Sequence, residues 1–334
     1  MCYKLNFLKN YFLLFCLITF ATDSFAHVVP KSNPVSTYSI VAYDEKTGEF
    51  GVAVQSHWFS VGFLVPWAKA GVGAVATQSF VKVEYGPDGL ALMEDGKSAR
   101  EALDQLISAD EGQAVRQVAM IDSKGSVAAH TGKNCIFAAG HTVGKNYSVQ
   151  ANLMEKETVW SAMSNAFENS KGDLASRMMA SLEAAEKEGG DIRGKQSAAM
   201  LIVTGEPTGL PWKDIVMDIR VDDSPHPLKE LKRLIRIHKA YQHANKGDYY
   251  LEVNEVDKAL LEYDRASDLY PENPELPYWS AVTLVGLGDI DKALPIFSKV
   301  FKRESRLRMM TPRLVDAGLL PKDENILKLI MELD

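Results

Sequence analysis

The order in which periodicity changes along this chain limits its fold more than any single motif does. Tyr38, Ile40 and Ala42 alternate with Ser39, Val41 and Tyr43, a DEKTGE turn follows, and 51–55 returns, as in a hairpin. The small apolar run 71–79 reads as a strand buried on both faces. Two helices are expected next. One spans 87–95; the other is capped by Ser98 with Glu101 three residues later and carries the stripe Ala102, Leu103, Leu106, Ile107. A hairpin follows over 117–132, turning at Asp122-Ser123-Lys124-Gly125, then a strand at 147–153. Two more helices are expected at 155–168 and 173–188, and last strands at 197–204 and 215–221. Helices that arrive in pairs between groups of hairpin-joined strands suit a layered α+β fold, with helices on the outer faces of stacked sheets. They do not suit a parallel βαβ fold.

The stretch SPHPLKE (224–230) ends this pattern, and everything after it reads as helical. A repeat appears at a shift of thirty-four: Asp257, Lys258, Ala259 and Leu260 recur as Asp291, Lys292, Ala293 and Leu294, and Tyr263 becomes Phe297. Gly247, Tyr250, Ala259, Tyr263, Ala266 and Pro271 fall where tetratricopeptide repeats place small, aromatic and helix-stopping residues. About two such repeats resemble that family over 240–307. Two are fewer than a free-standing array needs, so this part is expected to pack on its neighbour.

At the other end, Lys4 and Lys9 precede the apolar run 11–20, and Ser24-Phe25-Ala26 follows. That is the layout of a secretory signal peptide, with a cut after Ala26, and the run is too short to span a membrane. The expected product is secreted or periplasmic, with no membrane span. Removing 1–26 takes two Lys and one Asp and moves the net charge from −7 to −8. An acidic chain without clustered Lys and Arg argues against a nucleic-acid partner. Cys2 and Cys16 leave with the leader, so Cys135 stays alone and no intrachain disulfide forms. His130, Cys135 and His141 are too widely spaced to suggest zinc, so no metal and no cofactor is expected. Residues 27–35, with two prolines and no periodicity, read as a linker. The divisions expected are therefore a signal peptide at 1–26, a linker at 27–35, an α+β domain at 36–223, a linker with a lead-in helix at 224–239, and a helical domain at 240–334.

Within the α+β part, Thr37-Tyr38-Ser39-Ile40-Val41-Ala42, Thr47-Gly48-Glu49, the run from Val65 to Gln78, Tyr85-Gly86-Pro87, Gly140-His141, Gly189 to Ala199 and Asp218 to Asp223 together resemble the domain of unknown function 1028 family. The resemblance covers about 36–223. It implies a four-layer αββα sandwich of the N-terminal-nucleophile hydrolase kind. In such enzymes the first residue attacks a carbonyl and its own α-amine takes the proton; an α-amine titrates near ~7.7–8.0, so it is a good base at neutral pH. Thr37 is the residue in question. Cleavage after Ala26 leaves it ten residues inside the chain, so a second cut is required before it can act. The other readings are that Thr37 is a β-branched residue that starts a strand, or that the site's nucleophile is a water or another residue.

The remaining candidates are weighed in the same way. Lys69, thirty-two residues after Thr37, is close to the lysine spacing of proteasome-type relatives. A buried ammonium there would hold an oxyanion; the alternative is a strand-edge lysine reaching water. Gly71 and Gly73 could bring backbone N–H groups to that oxyanion or simply allow tight packing. In GGDIRGKQSAA, Arg193 could fork onto a substrate carboxylate with Gln196 and Ser197 as donors, or pair with Asp191. His141 reads as a loop residue near the site or as a hydrogen-bonded structural histidine, His57 as one that could point toward Thr37, and Trp67 and Trp212 as pocket or core aromatics. Two functions are carried forward. One is an exported amidohydrolase acting on a small or peptide-like amide; the other is a non-catalytic cradle that binds a ligand, with a protein or peptide partner on the helical repeats. A homo-oligomer stays open under both.

Overall fold

The computed structural model describes residues 34, 35 and 37–333; the signal peptide and nearly all of the expected linker lie outside them. Eleven strands are found among the described residues: β1 (Pro34–Val35), β2 (Thr37–Tyr43), β3 (Phe50–Ser56), β4 (Pro66–Lys69), β5 (Gly73–Phe80), β6 (Arg116–Asp122), β7 (Val127–Thr131), β8 (Gly140–Gly144), β9 (Tyr147–Ala151), β10 (Ser197–Val203) and β11 (Ile215–Val221). They form two antiparallel sheets. One runs β1-β5-β6-β7 with β4 also on β5, and the other runs β11-β10-β3-β2-β9-β8. The helices of this half are α1 (Tyr85–Glu94), α2 (Ala99–Ser108), α3 (Val159–Asn169), α4 (Leu174–Lys187) and the short α5 (Pro211–Asp214). The protein is thus a mixed α+β structure with antiparallel sheets and a helical C-terminal region.

Alternation along each strand decides where its side chains go. Val75, Val118 and Met120 join Tyr85, Leu90 and Leu103 of α1 and α2 in one buried cluster. Tyr38, Ile40, Ala53 and Met200 join Met163, Phe167, Met178 and Leu182 of α3 and α4 in another. The intervening residues of both sheets, among them Val41, Val52, Val54, Ala74, Ala76 and Ile121, make a third. Each such side chain taken from water contributes about 1.5–3 kcal/mol if large. Both halves of the Ser98–Glu101 capping box are present at the start of α2. Asp173 caps α4 through Ser176 N at 2.9 Å.

Three strands escaped the sequence reading, and the first of them, β1, lies within the stretch 27–35 expected as a linker. β4 begins on a proline, which only an edge strand tolerates. β8 is bounded by Gly140 and Gly144, and a Cβ on Gly140 would lie 2.6 Å from the Trp160 ring of α3. The expected strand 71–79 is β5, and it forms the second arm of an unforeseen hairpin with β4, Lys69 standing opposite Gly73.

The helical region comprises α6 (Pro227–Glu252), α7 (Val256–Leu269), α8 (Glu275–Gly286), α9 (Ile290–Arg303), α10 (Ser305–Asp316) and α11 (Glu324–Met331). α6 runs unbroken through 239–240, where a border was expected. The helices α7 and α9, which carry the similar stretches, start thirty-four residues apart, at Val256 and Ile290. Gly247 lets α6 and α7 close up: a Cβ there would stand 2.7 Å from the Tyr263 ring. No helix among the described residues is long and apolar enough to cross a membrane.

Candidate functional site

β2 begins at Thr37, and the strand register lines up four polar residues across one end of the six-stranded sheet. Thr37 stands opposite Ser56, Ser56 opposite Ser197, and Asn152 donates its backbone N–H to the Thr37 carbonyl at 3.1 Å. All four are fully buried. The Thr37 hydroxyl donates to the Val35 carbonyl at 2.8 Å and lies 3.2 Å from the Ser56 hydroxyl. The Asn152–Thr37 bond makes that pair the hydrogen-bonded one, so the backbone N–H of Thr37 points toward β9 and Asn152, because antiparallel partners alternate.

Facing this row, the other sheet supplies amides instead of apolar residues. Gln78 follows Ala74 and Ala76 at the inward positions of β5, and Gln117 precedes Ala119 and Ile121 in β6. The Gln117 amide nitrogen donates to two main-chain carbonyls, Ala151 at 2.9 Å and Gly140 at 3.2 Å, and to the Thr131 hydroxyl at 2.9 Å. Main-chain carbonyls cannot donate, so this orientation is forced. The Gln117 oxygen must then accept, and it does so from Gln78 Nε2 at 2.7 Å and Asn152 Nδ2 at 2.9 Å. Gln78 Nε2 also reaches the Thr37 carbonyl at 3.1 Å, and its oxygen takes the Ser39 hydroxyl at 2.6 Å. The chain of orientations ends at Asn152 Oδ1, a buried acceptor with no partner among the described residues. Buried polar atoms of this kind are uncommon and call for a donor.

His141 joins this network, its Nδ1 2.8 Å from the Thr131 hydroxyl. Burial, then the nearby His130 and Arg100, hold its pKa below the usual histidine value. It sits on β8, not in a loop. Asp191 and Arg193 find each other. Arg193 Nε and Nη2 reach the two Asp191 oxygens at 3.1 and 2.7 Å, and the backbone N–H groups of Arg193 and His57 add 3.0 and 3.3 Å bonds. The guanidinium fork expected for a substrate carboxylate is therefore turned on Asp191, because the carboxylate is already buried beside it. Ser197 donates to the Trp58 carbonyl at 2.5 Å and accepts from Val61 N–H at 3.1 Å, so it holds the loop after β3. Gln196 reaches outward to Asp223 at 3.1 Å.

Lys69, Gly71 and Gly73 are not near Thr37. Lys69 pairs opposite Gly73, while Thr37 is held by Gln78, five residues along β5, roughly 17 Å at ~3.3 Å per residue. The Lys69 ammonium is half exposed and bonds Glu94 at 2.6 Å, so it is not the buried cation that was expected. Gly73 is glycine for packing: at φ +147°, its Cβ would fall 2.1 Å from the Ile121 carbonyl oxygen. Trp67 lies over Gly86 with its indole N–H on the Leu64 carbonyl at 3.0 Å, whereas Trp212 is exposed. His130 and Cys135 bond main-chain carbonyls, Gln113 at 2.9 Å and Arg116 at 3.3 Å. Among the described residues no group of three or more His, Cys, Asp or Glu is arranged to hold a metal.

Sequence reasoning missed Ser56, Gln78, Gln117 and Asn152. Three of the four carried a signal: a polar residue at the inward parity of an otherwise apolar strand, as in AVATQ, QVAMI and VAVQS.

With this geometry in view, a model described as a family of unknown function, DUF1028, matches residues 37–231, more than half of the chain. The chain belongs to the DUF1028 family. A solved DUF1028 structure, that of a protein from Silicibacter pomeroyi, is similar at 30% identity with a TM-score of 0.54, over 60% of this chain and 85% of that one. No curated protein matches. The DUF1028 match begins at Thr37 itself and ends inside α6.

Proposed function

We propose that this DUF1028 protein is the latent form of an amide-bond hydrolase of the N-terminal-nucleophile kind, with an αββα sandwich, and that Thr37 is its nucleophile once the Ser36–Thr37 bond is cut. The observation that carries this reading is the unpartnered buried side-chain oxygen of Asn152, the residue whose backbone N–H bonds the carbonyl of a buried strand-opening threonine. Cutting turns the Thr37 nitrogen into an amine, which supplies the donor Asn152 Oδ1 lacks. The amine takes the Thr37 hydroxyl proton as the oxygen attacks a carbonyl, and the Ser56 hydroxyl at 3.2 Å stays in reach of the oxygen. Asn152 positions the amine, and Gln117 fixes Asn152. Lys69 has no part in this scheme. Export, with a first cut after Ala26, belongs to the same reading.

Intact-mass measurement of the exported protein, paired with turnover of peptide anilides, tests it. The expected active species starts at Thr37 and loses turnover as Thr37→Ala. Turnover by a chain whose Ser36–Thr37 bond is whole would overturn the proposal.

A second reading is favoured by one observation in the helical region, a groove of about 560 Å³ lined by Tyr241, Asp248, Tyr263 and Trp279 among others. Under it, the tetratricopeptide-like hairpins hold a peptide or protein partner and the α+β half is a silent cradle. Thr37→Ala then leaves ligand binding intact.

A further inference from the structure

β5 has two edges. β6 covers one along Gly73 to Ser79. On the other, β4 pairs with Gly73 to Ala76, and the two residues of β1 pair with Ser79 and Phe80, Val35 opposite Ser79 and Pro34 opposite Phe80. β1 thus completes an edge that β4 leaves short. Val35 is 1% exposed and belongs to the same apolar cluster as Val54, Val61 and Val65. Its carbonyl receives the Thr37 hydroxyl. Val35 is also the second residue on the acyl side of the bond before Thr37. A segment that lies as a strand, buries a branched side chain and touches the nucleophile with its carbonyl is bound as an extended peptide ligand is bound.

We infer that β1 occupies a peptide subsite, and that the edge of β5 at Ser79–Phe80 with the Val35 niche takes the acyl side of an extended peptide substrate carrying a branched apolar residue second from the attacked carbonyl. This rests on the reading of Thr37 given above and names its substrate class. It also makes the arm a tethered competitor: attached to the chain, it is present at an effective concentration near millimolar or higher. Releasing it exposes main-chain donors and acceptors of β5 for a second strand to use.

The test uses the full exported chain with an intact Ser36–Thr37 bond, verified by mass. Val35→Asp puts a carboxylate into a fully buried apolar position and so drives the arm out. Anisotropy of fluorescein-labelled Asn-Pro-Val-Ser amide should then show binding at least tenfold tighter to the variant than to the wild type, and the same peptide with Asp for Val should not bind. Hydrogen exchange at Ser79 and Phe80 should speed up in the variant and slow again when peptide is added. Equal binding by both chains, or none by the variant, overturns the subsite. If Val35→Asp does not fold, Val35→Ala replaces it, and unchanged exchange at Ser79 and Phe80 is the refuting result. If export yields only chains cut before Thr37, the peptide is titrated into them directly and must bind. None of these readouts requires turnover. A chain that binds the peptide but hydrolyses no amide keeps the subsite and loses the nucleophile, whereas one that hydrolyses amides and ignores the peptide does the reverse.

Discussion

Replacing Gln117 with methionine should cost this fold roughly 2–6 kcal/mol. The substitution nearly conserves volume, so little of the loss comes from a cavity. Besides the donor to the Ala151 and Gly140 carbonyls and the Thr131 hydroxyl, whose oxygens each keep another lone pair, it removes an acceptor shared by two buried amide N–H groups, Gln78 Nε2 at 2.7 Å and Asn152 Nδ2 at 2.9 Å, and the figure counts this acceptor alone. Gln78 keeps its bond to the Thr37 carbonyl with its other hydrogen, and Asn152 Nδ2 keeps only a 3.5 Å contact to the same carbonyl. One orphaned hydrogen on each amide, at about 1–3 kcal/mol apiece, gives the figure. Against a typical domain stability of about 5–15 kcal/mol that is a large fraction. Urea titration followed by far-ultraviolet circular dichroism measures it: the midpoint should fall while the slope stays put. A loss under ~1 kcal/mol would mean that water or neighbouring groups satisfy those amides, and the forced orientation that singles out Asn152 Oδ1 would fail with it.

Lys69→Ala should change stability by no more than ~1 kcal/mol, because an exposed ion pair contributes little. It should leave any amide turnover unaltered; a hundredfold loss would return Lys69 to the site. Gly73→Ala should destabilise by ~2 kcal/mol or more, since φ +147° and the Ile121 carbonyl both exclude a Cβ, and a thermal melt reads the loss. His141, whose pKa burial lowers, takes up a proton less readily in the fold than in the unfolded chain, where it titrates near ~6.5. Stability should therefore be level above pH ~6.5 and fall below it, by up to ~1.4 kcal/mol per pH unit from this group. Urea midpoints between pH 7.5 and 5.5 should show a shallower fall in His141→Asn; parallel curves would contradict the assignment.

Local signals were legible and distant ones were not. The capping box at Ser98, the hairpin at Asp122–Gly125 and the strand Ile215–Val221 depend on residues a few positions apart, and all three stand where the periodicity puts them. Lys69 shows the limit. A spacing of thirty-two from Thr37 says nothing about which end of a strand a lysine reaches, and the unforeseen β4–β5 hairpin turns it away. Arg193 shows another, since the choice between a substrate carboxylate and Asp191 depends on a neighbour two residues away that the fold buries. The amide network was hidden for a different reason. Gln78 lies on β5, Gln117 on β6 and Asn152 just past the end of β9, and they become one site only through register, which a single sequence does not display.

The family match stops at 231, in the second turn of a helix about 39 Å long at ~1.5 Å per residue. That helix does not respect the stop. His238 Nε2 lies 2.9 Å from the Val216 carbonyl on β11, and Lys239 reaches Asp173 at 2.6 Å. One turn further, His243 meets Glu262 on α7 at 2.5 Å. A single rod is therefore clamped at one end to the β10–β11 edge and at the other to the hairpins. The hairpins and the strand pair that begins at Ser197 are thus joined by one unbroken helix rather than by a loop.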